Sequence, residues 1–496
     1  MDQAATFANP IGEMALGDPF VLRHRGRFYL YGTNDGPPLP DGRQIPAYRS
    51  DDLLRWEPLG GVLEPSEPHS DHWAPEVLAW NGKFFMVVSF GDIDRRGHAL
   101  WVAEAQSPEG PFRLKARVSD PADLFSIDGS WLLDDDGRLY LFRCLDFVDQ
   151  DAPPHGTGIV VQPLRSPTEP EGPSSTVLRA HSPWQLFQAD RTMPLYSGRT
   201  FAEWTTIEGP APVKRGGRYY CGYSGGNYAG AYGTGEATAD HPLGPYRDLR
   251  GRQGPIFSTT PGLVEGPGHF SVFRPDGVHD WIVLHGRRPG ERVRRVWLCP
   301  AEWGPDGVRI GALTDQPQAA PPSPTFQAHF RHDAPAIPDG WRVEGGIWSV
   351  RGEELRGQGT RETLAVAWLG GVDLSGDWFA EAFVRFPSAL DGSAGVAIHG
   401  KGPTGSLFLQ VDPGTGRWTA NDSHGPSWSG ELPRLGDDSF DFGAFHSLEI
   451  RSRRGRGELR IDGVRLLDDI RLPGEPASLG LFCVGEAAFD AVAVTL

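Results

Sequence analysis

The sequence predicts an all-β protein, a five-bladed β-propeller followed by a β-sandwich of the jelly-roll kind. Three observations predict it. Between Pro10 and Leu313 one phrase recurs five times: a polar head, an apolar strand, a Gly-bearing turn and an aromatic-rich strand. The composition, Gly 65 and Pro 45 with 11% aromatic residues, suits a chain of many turns and few helices. Beyond residue 325 the phrase stops, and short alternating strands continue without polar heads.

The first phrase is Gly17-Asp18-Pro19-Phe20-Val21-Leu22, leading through Gly26 to Phe28-Tyr29-Leu30-Tyr31. The others begin at Pro75-Glu76-Val77-Leu78, Asp128-Gly129-Ser130-Trp131, Glu208-Gly209-Pro210-Ala211 and His269-Phe270-Ser271-Val272. Successive heads lie 58, 52, 80 and 61 residues apart, an irregular spacing that fits large blades with variable loops. Matching Pro-x-Gly-Pro-aromatic turns, Pro108-Glu109-Gly110-Pro111-Phe112 and Pro242-Leu243-Gly244-Pro245-Tyr246, fall at equivalent places in blades two and four. The innermost strand of a blade starts beside the propeller axis. Asp18, Glu76, Asp128, Glu208 and His269 are therefore expected at one site, although 251 residues separate the first from the last.

Residues 1–313 are assigned to the propeller, 314–325 to a Pro-rich extended linker, and 326–496 to the sandwich. With 39% hydrophobic residues, the 496-residue chain can bury a core in each domain. Cys144, Cys221, Cys299 and Cys483 have neither a zinc spacing nor the density of a disulfide framework, so they read as buried free thiols.

A net charge of −17 argues against a nucleic-acid partner, and no apolar run is long enough to span a membrane. The start, Met1-Asp2-Gln3-Ala4-Ala5, lacks the charged and apolar regions of a signal peptide. A cytoplasmic location is expected, although a secreted chain whose leader has been removed reads the same way.

Four of the five heads are acidic. Gathered on one axis they repel one another, and burial raises some of their pKa values, a cost that marks working groups. Two carboxyls facing a glycosidic bond can divide the work, one protonating the leaving oxygen and the other activating water on the opposite face. Each head taken alone also fits a plain turn. Asp before Pro, Asp-Gly and Glu-Gly-Pro are all common loop signals.

The motifs Gly17-Asp18-Pro19, Ser126-Ile127-Asp128-Gly129 and Ile207-Glu208-Gly209-Pro210 occur in an order that resembles glycoside hydrolase family 43. These are five-bladed propeller enzymes that cleave α-L-arabinofuranosides and β-D-xylosides with inversion. The resemblance covers residues 10 to about 313 and includes Trp73-Ala74-Pro75-Glu76-Val77 and Gly266-Pro267-Gly268-His269. It implies that Asp18 is the general base, Asp128 orients the acid and tunes its pKa, and Glu208 is the general acid. Fructosidase-type sister families begin with an asparagine-rich motif that Glu13-Met14-Ala15-Leu16-Gly17-Asp18 lacks. Inversion is therefore expected, with the two working carboxyls roughly 6.5–9.5 Å apart.

Trp73, Glu76, Phe90 and Arg287 are candidate substrate contacts, Arg287 because it resembles an arginine of xylosidase-like members. His269 is either a packed core histidine or, by the same resemblance, the anchor of a Ca2+ ion on the axis. Trp418 and Trp428 of the sandwich either stack on glycan or belong to a module that only caps the propeller. The expected activity is exo-acting hydrolysis of oligosaccharides. A non-catalytic carbohydrate-binding propeller and a propeller glycoside phosphorylase are the alternatives.

Overall fold

The computed structural model describes residues 5–496 apart from 66–70, 93–96, 149–152, 250–253, 361–362, 388–391, 401–404, 424, 426, 434–438 and 475–476. The start of the chain, on which the leader argument rests, lies outside the described residues.

Five antiparallel meanders follow one another. The first comprises Leu16–His24, Arg27–Asn34, Gln44–Ser50 and Glu57–Leu63, and the second Asp71–Trp80, Lys83–Asp92, Gly97–Ala105 and Arg113–Arg117. Ser126–Leu133, Leu139–Phe147, His155–Ser166 and Ser175–Leu178 build the third, and Ile207–Arg215, Arg218–Gly226, Tyr232–Ala239 and Arg247–Asp248 the fourth. Glu265–Phe273, Trp281–Arg287, Arg295–Gly304 and Gly307–Ile310 complete the fifth. Each innermost strand touches the next, and the fifth returns to the first, so the ring closes as a five-bladed propeller. Between blades pack apolar clusters such as Tyr31, Val77, Met86 and Phe112. Asn9 locks the closure: its side-chain amide bonds both backbone groups of Leu298 on blade five, at 2.9 and 2.8 Å.

One local device repeats in all five innermost strands. The pairing with the second strand slips between Gly17 and Phe20, Trp73 and Glu76, Ile127 and Ser130, Glu208 and Ala211, and Gly268 and Ser271. Inside each slip one residue takes a left-handed φ: Asp18 at 48°, Ala74 at 47°, Asp128 at 55°, Gly209 at 58° and His269 at 46°. These are β-bulges, which re-aim side chains at a local cost in backbone strain. They also correct the expected phase of the heads. Asp18, Asp128 and His269 are equivalent, but Glu208 stands one residue before its bulge position and Glu76 two residues after.

Blade three carries an extension. A hairpin of Leu186–Met193 and Arg199–Thr205 joins its sheet through a short parallel pairing of His155 with Trp204. Near the end of the propeller, Gln318–Ala319 pairs with Thr6–Phe7, so the Pro-rich segment is pinned to the start of the chain.

The remaining strands form a β-sandwich whose two sheets share one long strand, Ala477–Thr495. Its first half pairs with Gly392–Gly400 and its second half with Trp378–Arg385, the change coming at Gly485, where φ is +80°. Trp348, Trp378, Leu409, Ile450 and Phe489 lie in the core between the sheets. Trp418 is buried in that core and Trp428 packs against it, so neither tryptophan offers the exposed platform that the glycan-stacking alternative needs. All four cysteines are free and buried. Among the described residues no helix is long and apolar enough to cross a membrane.

Candidate active site

Asp18, Asp128 and Glu208 line one cavity of about 270 Å³ at the propeller axis, together with Trp73 and Arg294. The bulges explain part of the convergence: those at Asp18 and Asp128 aim the carboxyls at the cavity, whereas Glu208 enters it from the strand position just before its own bulge. At the fourth blade the bulge position is Gly209, where a Cβ would come within 3.0 Å of the His269 ring. Glycine there both accepts the positive φ and leaves room for the histidine.

Each carboxyl has a different environment. Asp18 receives hydrogen bonds from the Thr33 hydroxyl on Oδ2 at 2.6 Å and from Arg294 Nη1 on Oδ1 at 2.8 Å. His269 and His285 place Nδ1 atoms 3.3 and 3.2 Å from the same Oδ1. Burial works to raise the Asp18 pKa, but Arg294 and the two imidazoles hold it well below the usual carboxylate range. Asp128 accepts the Gly209 N–H at 3.0 Å, and burial with the nearby charges of Glu208 and Asp18 pushes its pKa well above the ordinary value. Glu208 accepts the Tyr232 hydroxyl at 2.8 Å. Burial lifts its pKa to about 7, with Asp18 adding to the rise and Tyr232 opposing it. One pocket thus holds an ionised Asp18 beside a Glu208 that keeps its proton near neutrality.

The remaining predicted residues divide. Trp73 lines the cavity with its ring stacked on His98, centroids 3.9 Å apart. Glu76 does not: two residues past the bulge, it turns into the junction of blades two and three. There it accepts hydrogen bonds from the Ser130 hydroxyl and the Trp131 N–H, and burial raises its pKa to about 8. Phe90 is buried between the rings of His72 and Trp101, away from the cavity. Arg287 pairs across the sheet with Glu265, and its guanidinium lies against Gly266 rather than on the cavity wall. His269 sits beneath the cavity, between Asp18 and Asp128, its Nδ1 3.8 Å from the latter.

Calcium takes about six to eight oxygen ligands. The carboxylate oxygens nearest His269 are already engaged by Arg294 and the Gly209 N–H, and no group of three or more His, Cys, Asp or Glu among the described residues is arranged to hold a metal. A cage of protein ligands for calcium does not fit here.

Sequence reasoning missed Arg294, Tyr232, His285, Asp146 and Arg191, all of which line the cavity. Arg294 stands among Arg287, Arg288, Arg292 and Arg295, and nothing local distinguishes it. Asp146 ends the second strand of blade three, where it accepts the Tyr196 hydroxyl at 2.5 Å and burial raises its pKa to about 7. Arg191 arrives on the blade-three hairpin, whose course no motif announces.

The sequence profile of Glycosyl hydrolases family 43 matches residues 7–309. The chain belongs to that family. Among curated relatives, the extracellular exo-α-(1→5)-L-arabinofuranosidase of Streptomyces avermitilis is 23% identical over 337 residues, covering 62% of this chain and 63% of the relative. The chain thus aligns with somewhat less than two thirds of that enzyme. The β-D-galactofuranosidase xynD of Aspergillus niger is 25% identical over 58% of this chain and 78% of its own length. Among solved structures, a thermostable family-43 glycoside hydrolase superposes with a TM-score of 0.54 at 29% identity, covering 64% of this chain and 99% of its own. The xylan β-1,4-xylosidase of Bacillus halodurans C-125 spans 99% of this chain at 17% identity, with a TM-score of 0.50, and shares the fold.

Proposed function

We propose that this family-43 protein is an inverting, exo-acting glycoside hydrolase that removes α-L-arabinofuranosyl or β-D-xylosyl groups from oligosaccharides. The observation that carries the reading is the opposed protonation of two carboxyls in one cavity, Asp18 held ionised and Glu208 held protonated near pH 7. Glu208 donates its proton to the leaving oxygen. Asp18, fixed by Thr33 and Arg294, takes a proton from the attacking water on the opposite face. Asp128 orients the acid: it accepts the Gly209 N–H directly beside Glu208, while burial and the Asp18 charge keep the Glu208 proton in place. Tyr232 holds the Glu208 Oε1.

The relatives named above, an arabinofuranosidase and a galactofuranosidase, favour a furanoside as the first sugar to try. Three relatives are named extracellular, so the cytoplasmic location expected from the sequence gains no support from them.

The test is a panel of p-nitrophenyl glycosides in phosphate-free buffer, with Glu208→Gln alongside and proton NMR of the first-formed anomer. Cleavage with an inverted anomer, slowed in the variant, supports the reading. No cleavage of any furanoside or pyranoside, a retained anomer, a requirement for phosphate, or full activity of Glu208→Gln overturns it.

A further inference from the structure

The two arginines of the cavity are held very differently. Arg294 is saturated: it donates to Asp18 and makes a two-point pair with Asp35, with Nη2 to Oδ1 at 2.8 Å and Nε to Oδ2 at 3.0 Å. Arg191 has no carboxylate within ion-pair distance and makes no hydrogen bond among the described residues. Its guanidinium instead lies over two rings, 4.4 Å from the Phe187 centroid and 5.4 Å from that of Trp204. A half-buried, ring-clamped guanidinium presents five unused donors in a fixed fork.

Its place in the cavity identifies what the fork faces. The charges acting on Asp18 are those of Arg294, His269 and His285, whereas Arg191 acts on Glu208 and Asp146. Arg191 therefore stands on the acid side of the cleft, where the leaving group of the proposed reaction departs. Beside it Tyr228 is 51% exposed at the mouth, with its ring 6.4 Å from that of Phe187. Asn227 ties this loop to the hairpin by donating to the Phe187 carbonyl at 3.3 Å. The surface has an aromatic wall for a sugar ring and a planar fork for a pair of adjacent oxygens. Asp18 is held ionised in the same cavity, and Asp146 and Glu208, with pKa values near 7, are partly ionised; their charge disfavours an acidic sugar.

Building on the glycosidase reading, we propose that Arg191, Phe187 and Tyr228 form a leaving-group subsite for an uncharged second sugar, with the Arg191 fork binding a vicinal pair of its hydroxyls. The subsite makes the enzyme prefer a sugar to a simple alcohol or phenol as leaving group.

The test uses the full chain and two substrates with the same glycone: its p-nitrophenyl glycoside and the disaccharide in which a neutral sugar replaces nitrophenol. Arg191→Ala is expected to lower kcat/KM on the disaccharide by about ten- to a hundredfold, the worth of a hydrogen bond to a charged group. On the aryl glycoside the expected change is less than about threefold, because nitrophenyl has no vicinal hydroxyls to lose. Arg191→Lys, which keeps the charge without the fork, is expected to recover only part of the disaccharide activity. An equal loss on both substrates makes Arg191 a structural residue and overturns the subsite. No loss on the disaccharide, or a wild-type enzyme that cleaves only the aryl glycoside, also overturns it. If the wild type cleaves neither substrate, the glycosidase reading fails first.

Discussion

Arg294 bridges Asp35 and Asp18, and its 2.8 Å bond to Asp18 Oδ1 is the strongest influence opposing the protonation that burial favours. The proposed base is thus kept ionised by a residue that is itself held from behind. Arg294→Gln removes the charge and retains a donor. The Asp18 pKa then rises, and the acid limb of the kcat/KM profile moves to higher pH, by about 1–3 units. A limb that stays in place excludes Asp18 as the base.

Tyr232 acts on the opposite limb. Its bond to Glu208 favours the ionised carboxyl, so removing the hydroxyl raises the Glu208 pKa above about 7. Tyr232→Phe is expected to extend the basic limb upward by up to about one unit while lowering kcat modestly. A shift toward lower pH contradicts the assignment of Glu208 as the acid.

Glu208→Gln is expected to cost about 10²–10⁴-fold on a sugar leaving group and distinctly less on p-nitrophenol, which departs without full protonation. Asp18→Asn is expected to cost about the same on both, since water activation is needed whatever leaves. Measuring both variants on both substrates separates acid from base without reference to pH.

Glu76 predicts a stability effect rather than a kinetic one. Its folded pKa of about 8 lies above that of an unfolded glutamate, so the folded state holds an extra proton between about pH 4.3 and 8. Wild-type stability then falls as pH rises through that window, by about 1.4 kcal/mol for each pH unit. Glu76→Gln carries no such proton, so the Tm difference between variant and wild type should grow from pH 5 to pH 8. A constant difference rules the account out.

In the sandwich, Trp418→Ala is expected to cost about 3–5 kcal/mol of stability, as for a buried aromatic residue, and to leave hydrolysis by the surviving folded protein unchanged. Loss of glycan retention at unchanged Tm contradicts the buried role.

The heads of the five repeats were readable as a set, because a polar residue before a strand, a glycine turn and an aromatic strand is a pattern of residue types. Their phase was not. Glu76 and Glu208 look equivalent in the sequence, yet one faces a blade junction and the other the cavity, because Glu76 rejoins the ladder after its bulge whereas Glu208 stands on the ladder just before its own. Side chains alternate along a strand, so a shift of one or two positions changes what a carboxyl meets. Arg287, singled out by the family resemblance, stands in the sheet, whereas Arg294, seven residues on, reaches Asp18 from the turn between the second and third strands of blade five. Asp146, Arg191 and Tyr228 belong to loops and a hairpin, whose paths depend on tertiary packing rather than on local pattern.

The five bulges have one more consequence. Each holds its residue by backbone geometry, so the ring behaves as a mounting plate with five seats, of which only the one at Gly209 is closed to a larger side chain by the His269 ring. Two seats hold acids, one a histidine, one a glycine, and the seat in blade two holds Ala74. Aspartate tolerates the left-handed conformation that alanine already occupies there. Ala74 is therefore the vacant seat, the position from which a new functional group can be offered to the axis while the fold stays as it is.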